Sequence, residues 1–417
     1  MYPEDKKIDV DALVRTWIAE GLVQSRGAMY SMDMDLGRSY VKLLIDRGLF
    51  QNVSFEKRIS KGNNKKPVKV WKGSYITVHD VICDMAIYVG EKDNFLCRAG
   101  QQLEDFPHIQ TQDWERMSLF SNQIENLPKD FICPKLVSLF LSENPFICSI
   151  PDTFLINLNS LRVLDLSHCQ IESLPPSLTQ LTSLELLTLS STNIKELPTS
   201  ICNLFRLQFL DLSECRELRS LPPEMSQLTS LKRLHLGMGM EKVLDDPTNV
   251  MALKGLTNLI ELRLFLFSKF DALETIMGTW LEMRHLYLHH INVNTVKYSL
   301  PDEMQSMKKL QSLVLVDYIG VHLPNWICGF QLLERLELDG SYNVTELPAL
   351  EKLSQLKFLK LRNYRNVRDL GIGISGNSIG FPRLKMLHLS NMSKLRSMAE
   401  EGVLKQGTLL NLHVLKI

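Results

Sequence analysis

The stretch LRVLDLSHCQIESLP, Leu161 to Pro175, decides the fold. It reads L-x-x-L-x-L, then a polar turn, an apolar residue and Leu-Pro. The frame returns in LELLTLSSTNIKELP from Leu184 and in LQFLDLSECRELRSLP from Leu207. It returns again at Leu231, Leu259, Met283, Leu310, Leu333, Leu356 and Leu384, and weaker copies, ERMSLFSNQIENLP and LVSLFLSENPFICSIP, lie upstream. The spacing is roughly 22 to 28 residues, the period of a leucine-rich repeat. In L-x-L, two leucines flank one residue that points the other way, as in a short strand with one buried face. One such strand cannot bury that face alone, whereas stacked copies can, as a parallel sheet along a solenoid. Asn122, Asn144, Asn193 and Asn343 fall in the turns after the strands, where an amide can satisfy backbone groups left unpaired by the bend. Asn122 and Asn144 match the repeat's asparagine position most closely.

Upstream of about residue 110 the repeat is absent. DVDALVRTWIAEGLV carries Leu13, Val14, Trp17 and Ile18 at the spacing of one helical face, with Asp9 or Asp11 to cap it and Gly21 to end it. SMDMDLGRSYVKLLIDRGLF reads as a second helix closed by Gly48, LFQNVS and PVKVWKGSYITV as two strands, and His79 to Val89 as a third helix. Helices followed by a hairpin form a winged-helix pattern. The expected architecture is therefore an α/β leucine-rich-repeat solenoid over residues 114–417. A small α+β winged-helix domain precedes it over 1–90, with a connector over 91–113.

Composition narrows the function classes. Lys+Arg and Asp+Glu are both 47, so the formal net charge is zero and the chain as a whole has no electrostatic reason to seek nucleic acid or anionic membrane. No run of apolar residues is long enough for a transmembrane helix, and MYPEDKKIDV lacks the apolar core of a signal peptide. These features predict a cytoplasmic or nuclear protein, and the sequons at Asn52, Asn343 and Asn391 read as chance matches. The 8 cysteines stand singly, without a C-x-x-C pair, which fits reduced and mostly buried thiols.

Several constellations invite chemistry. Lys57, Arg58, Lys61, Lys65, Lys66, Lys69 and Lys72 cluster on the wing, where phosphates could sit. A solvated loop is the favoured reading, because the second helix carries as many acids as bases near its start. GIGISG, with Gly371, Gly373 and Gly376, matches a dinucleotide fingerprint but lies between two repeats rather than inside a βαβ unit, and reads as an insertion loop. His285, Tyr287 and His289 share one strand face, and with His290 they could suggest a metal. Lacking a carboxylate or thiolate partner, they read as an exposed face and no metal is expected. No P-loop, nucleophile elbow or catalytic pairing is visible, so no enzyme is expected. In ITVHDVICDMA, Ile76 to Ala86, His79 and Asp80 stand at a helix start. Residue physics leaves two readings open: a cap with an acidic first turn, or a contact to a bound phosphate.

In order and spacing, PED, WIAEGLV, VHDVICDMA and WERMSLFSNQIENLP resemble the coiled-coil class of plant intracellular nucleotide-binding leucine-rich-repeat immune receptors. The resemblance spans essentially the whole chain. It implies that VHD, with Val78 where the family usually has methionine, ends the winged-helix part of a nucleotide-binding module. It further implies that His79 contacts the β-phosphate of ADP and that Asp80 holds the local geometry. ADP or ATP is then the implied cofactor of the longer family protein. The implied function is a defence switch in which ADP holds the receptor closed, while the repeats restrain the upstream nucleotide-binding domain and recognise either a pathogen effector or a host protein that it modifies. This chain has no P-loop of its own and stops within a further repeat, so a fragment, a truncated gene or a partial gene model is the expectation, and nucleotide should not be held stably.

The residue between paired leucines forms a column along the strands: Ser118, Phe140, Asp165, Thr188, Asp211, His235, Arg263, Tyr287, Val314, Glu337, Lys360 and His388. Its varied chemistry points to a protein-binding face, with Asp165, Asp211, His235, Arg263, Tyr287, Glu337, Lys360 and His388 as candidate contacts. The alternative is a stand-alone protein-binding scaffold or decoy whose winged helix is a vestigial cap and which has no nucleotide switch. DNA binding through the winged helix is a less favoured third reading, and no nucleic-acid partner is expected.

Overall fold

The computed structural model describes residues 2, 6–24, 30–59, 68–78, 80–109, 113–237, 243–244, 246–266, 271–290, 300–318, 320, 322–340, 343–368, 370, 381–395 and 412–416. The chain forms two compact units, Met1–Ile194 and Lys195–Ile417.

The first unit opens with β1 (Ile8–Asp9), α1 (Val10–Ala19), α2 (Tyr30–Asp46), β2 (Phe50–Ile59), β3 (Val68–Val78) and α3 (Asp80–Lys92). Asp9 caps α1 by accepting from the Ala12 amide at 2.8 Å, and Gly21 and Gly48 take the left-handed conformation after α1 and α2, as their positions predict. Leu13 and Val14 are buried on the inner face of α1. Gly37 of α2 lies against Val14, where a Cβ would overlap the valine Cγ1, so glycine permits the close approach of these helices. β1, β3 and β2 form an antiparallel sheet in that order. β2 runs on to Ile59, further than LFQNVS suggested, because its pairing with β3 continues past an irregularity between Lys57 and Arg58.

The repeats of this unit contribute β4 (Phe95–Cys97), β5 (Arg116–Ser118), β6 (Ser138–Phe140), β7 (Val163–Asp165) and β8 (Leu186–Thr188), paired in parallel. The segment expected to be a connector thus supplies β4, hydrogen-bonded to β5 in the same ladder. Leu161, Leu164, Leu166, Ile171, Leu178 and Leu181 of the opening stretch and its continuation are all buried. The Leu-Pro step ends each climb: Pro175 precedes a short 3-10 turn over Pro176–Gln180, whose first residue needs no amide hydrogen.

Asn122 donates to the carbonyls of Arg98 (2.8 Å) and Leu119 (2.9 Å) and accepts from the Leu103 amide (3.1 Å). Asn144 repeats the pattern on Leu119 and Leu141 (2.9 and 2.8 Å) and on the Ile124 amide (3.2 Å). Asn193 and Asn343 are exposed and do not take the buried position of Asn122 and Asn144. The equivalent position falls one residue earlier, on Thr192, whose hydroxyl donates to the Leu189 carbonyl at 2.7 Å. Cys169 occupies it in the preceding repeat, donating to the Leu141 carbonyl at 3.2 Å. The residue before each of these positions has positive φ: Ser121 (55°), Glu143 (57°), His168 (60°) and Ser191 (59°).

The winged-helix part and the first repeats meet within this unit. Glu20, at the end of α1, has a fully buried carboxylate that accepts from Arg116 Nε at 3.1 Å and Ser138 Oγ at 2.6 Å. Lys6 pairs with Glu143 and sits 4.8 Å over the Phe120 ring, against which the Tyr2 ring packs edge-on at 5.4 Å.

The second unit carries β9 (Phe209–Asp211), β10 (Arg233–Leu236), α4 (Pro247–Ala252), β11 (Glu261–Leu266), α5 (Asp271–Met277), β12 (His285–His290), β13 (Ser312–Val316), β14 (Arg335–Asp339), β15 (Phe358–Arg362), β16 (Met386–Ser390) and β17 (Val414–Lys416). β9 to β17 pair in parallel and in sequence order. Register aligns the leucines, as in Leu286↔Leu313↔Leu336↔Leu359↔Leu387. Pro222, Pro301 and Pro324 again precede 3-10 turns. Among the described residues no helix is long and apolar enough to cross a membrane.

Candidate functional site

The side chains facing away from the leucine core on β9 to β16 form the richest polar surface of the second unit. Strand alternation places two or three residues per repeat there, and parallel register sets them in columns. Tyr287, Val314, Lys360 and His388 are half-buried on this face.

Two clusters of charge are tied together across neighbouring strands. In the first, Glu261 accepts from Arg233 Nη1 and Arg263 Nε, both at 2.9 Å, and lies 3.1 Å from His235 Nε2. His235 Nδ1 faces Asp211 Oδ2 at 3.5 Å, and the ring packs edge-on against Phe209 at 4.9 Å. Burial alone would raise the Glu261 carboxyl, but the two guanidiniums outweigh it and hold the group well below the usual carboxylate range. Burial likewise pushes Asp211 up, yet hydrogen bonds from His235 and Ser213 bring it down to about 2. In the second cluster, Glu337 pairs with Arg335 and accepts from Lys360 Nζ at 3.0 Å. There too burial is outweighed by the neighbouring cations, which lower the Glu337 carboxyl. Asp339 shows the opposite balance: burial raises it despite Arg362 at 3.4 Å and a bond from Asn363.

Between the clusters lies an aromatic and apolar island. Phe265 sits 6.0 Å from Tyr287 and 4.8 Å from His289, with Val314 and Val316 on the next strand. Burial raises the Tyr287 phenol. The expectation that His285, Tyr287 and His289 make an exposed face is corrected at His289, which is 1% exposed and reaches Asp317 at 3.4 Å. No group of three or more metal-ligating side chains is present among the described residues.

The column itself is less exposed than alternation suggested. Ser118, Phe140, His235 and Glu337 are buried. Ser118 and Phe140 lie on the strands that receive Glu20, and His235 and Glu337 are enclosed by their own ion partners. Asp165, in the first unit, accepts from Ser142 at 2.8 Å and Thr188 at 2.6 Å. Arg233, Glu261 and Phe265 were absent from the expected set, although each stands two residues from a column member and shares its face; extending the alternation by one step in each direction finds them. His79 lies outside the described residues, as do the tip of the wing and GIGISG; Asp80 begins α3.

Stacked leucine strands, a ladder of turn amides and a preceding winged-helix part define a leucine-rich-repeat protein with an appended winged helix. A model of the leucine-rich repeat region matches residues 117–416, and one of the disease resistance protein winged helix domain matches residues 1–86. The chain belongs to the leucine-rich-repeat disease resistance proteins of plants. It is similar to two probable disease resistance proteins of Arabidopsis thaliana. One is 31% identical over 194 residues (43% of this chain, 20% of that protein), the other 34% identical over 185 residues (43% and 18%). The chain thus spans about a fifth of the length of these relatives. Among solved structures, a leucine-rich-repeat protein of Leptospira interrogans is similar at 21% identity, covering 79% of this chain and 97% of that one, with a TM-score of 0.45.

Proposed function

We propose that this chain is the recognition and switch-adjoining part of a plant defence receptor. The observation that carries the proposal is the order of modules: a disease-resistance winged helix directly followed by leucine-rich repeats. In this reading the inner strand face of the second unit binds a protein, either a pathogen effector or a host protein modified by one. The aromatic island of Phe265, Tyr287, Val314 and Val316 supplies the anchor, and the compensated charge clusters on either side supply selectivity.

The winged helix then serves a nucleotide-dependent switch, with His79 and Asp80 contributing to the ADP side of a site completed by a nucleotide-binding domain. The surface of α3 supports a neighbour of that kind. Met85, Tyr88 and Val89, at i, i+3 and i+4, are 59, 64 and 53% exposed and form an apolar ridge suited to a packed domain. The role is recognition rather than catalysis.

The test uses a receptor in which a nucleotide-binding domain precedes this chain, expressed in leaf tissue. Val314→Glu with Val316→Glu should abolish the response to the recognised protein while leaving resting activity unchanged. Asp80→Val should raise resting activity and reduce co-purified ADP. An intact response in the first variant, or unchanged resting activity and ADP retention in the second, would refute the corresponding half.

A further inference from the structure

Beyond the inner face, the last described repeats of the second unit hold an open groove of about 320 Å³ against Lys357, Arg383, Lys385 and His413. Among the described residues the lining is two lysines, an arginine and a histidine. They reach one place because of the parallel ladder. The Lys385 amide donates to the Lys357 carbonyl at 2.8 Å, and the His413 amide to the Lys385 carbonyl at 2.8 Å. These three residues therefore occupy consecutive rungs of one column at the entry to β15, β16 and β17, about 4.8 Å apart. The same column reads Gln311 and Glu334 on the two preceding rungs, linked by the same kind of bond. The charge changes sign between Glu334 and Lys357.

Compensation inside the protein is partial. Lys357 pairs with Glu334 at 2.7 Å, and Arg383 donates to the Gln355 side-chain oxygen at 2.6 Å. Among the described residues no carboxylate pairs with Arg383 or Lys385, and both are exposed. Arg383 and Lys385 therefore leave an excess of positive charge at this place, and such an excess concentrates anions in front of it.

We propose that this groove is a binding site for a small polyanion carrying two or more phosphate groups. Two rungs separate Lys357 from His413, about 10 Å, more than a single phosphate reaches, so a diphosphate or longer chain fits the spacing. Arg383 offers the planar fork that matches a phosphate in bidentate fashion, and the lysines act as point charges. The basic column stops at Glu334, so it offers no track along which a nucleic-acid backbone could continue.

The full 417-residue chain is titrated with inorganic phosphate, pyrophosphate and tripolyphosphate at physiological ionic strength, by calorimetry and by thermal shift. Affinity should rise with phosphate number, and sulfate, a single tetrahedral dianion, should bind far more weakly than tripolyphosphate. Arg383→Gln with Lys385→Gln should weaken tripolyphosphate by about tenfold for each cation removed. Lys254→Gln, at an exposed site elsewhere in the unit, should bind as the parent does. If the double variant misfolds by circular dichroism, Lys385→Gln alone supplies the comparison. Equal affinity in the Lys385 and Lys254 variants overturns the site. So does sulfate binding as tight as that of tripolyphosphate, or tighter binding of duplex DNA that the Lys385 variant weakens.

Discussion

Replacing Glu261 by Gln should loosen the inner face locally and measurably. The carboxylate is 9% exposed, takes two guanidinium bonds of 2.9 Å and lies 3.1 Å from His235. Gln keeps one oxygen for the donors but removes the charge that Arg233, 4% exposed in its side chain, was desolvated to meet. Breaking a buried pair from one side costs about 3–5 kcal/mol, and the retained acceptor places this variant near the lower end, about 3 kcal/mol. A solenoid of this length need not unfold in one step, so global denaturation would blur the effect. Amide exchange on peptides covering β10 and β11 reads it directly. A loss of about 3 kcal/mol multiplies the opening equilibrium there by about a hundred, while β14 to β16 stay unchanged. Adding Arg233→Leu to Glu261→Gln should restore part of the protection, because no buried guanidinium is then left at that position without its counter-ion. An increase below about threefold for Glu261→Gln, or a double variant no better than the single one, would show that the pair contributes nothing of this size.

Asp211 sets the acid limit of the same cluster. Its carboxyl is lowered from 3.8 to about 2, so its contribution of about 2 kcal/mol is complete above pH 4 and lost as the pH falls towards 2. Asp211→Asn should flatten that limb when amide protection of β9 and β10 is followed against pH, and an unchanged limb would refute the assignment. Asn144→Ala strands the Ile124 amide and the Leu119 and Leu141 carbonyls and should cost about 3 kcal/mol. Asn144→Cys should cost less, since the Cys169 thiol already serves this position one repeat on; exchange at β5 and β6 gives the ranking. Burial pushes the thiols of Cys133 and Cys202 to about 11 and that of Cys169 to about 12, so the exposed Cys148 should be alkylated well before them at pH 8. Peptide mass spectrometry gives the order, and equal rates at Cys148 and Cys169 would contradict the burial.

The sequence by itself determined the repeat fold, the helical caps of the winged-helix part and the Leu-Pro turns. Each is a local property: alternation in L-x-L, a carboxylate ahead of α1, a proline where no amide is needed. It also carried the family through the order of short motifs. Tertiary structure decided what each polar side chain does. His235, His289 and Glu337 read as surface residues from alternation, yet partners on the same or the neighbouring repeat enclose and pair them. Asn193 reads as the turn amide, yet the bend places Thr192 there. The basic groove was not read from the sequence: Lys357, Lys385 and His413 recur at one repeat position, 28 residues apart, but only the stacking of the strands brings them together beside Arg383. A sequence states which residues belong to a strand face; the stacking of strands at fixed spacing determines which charges meet across it, and electrostatic energy depends on that distance.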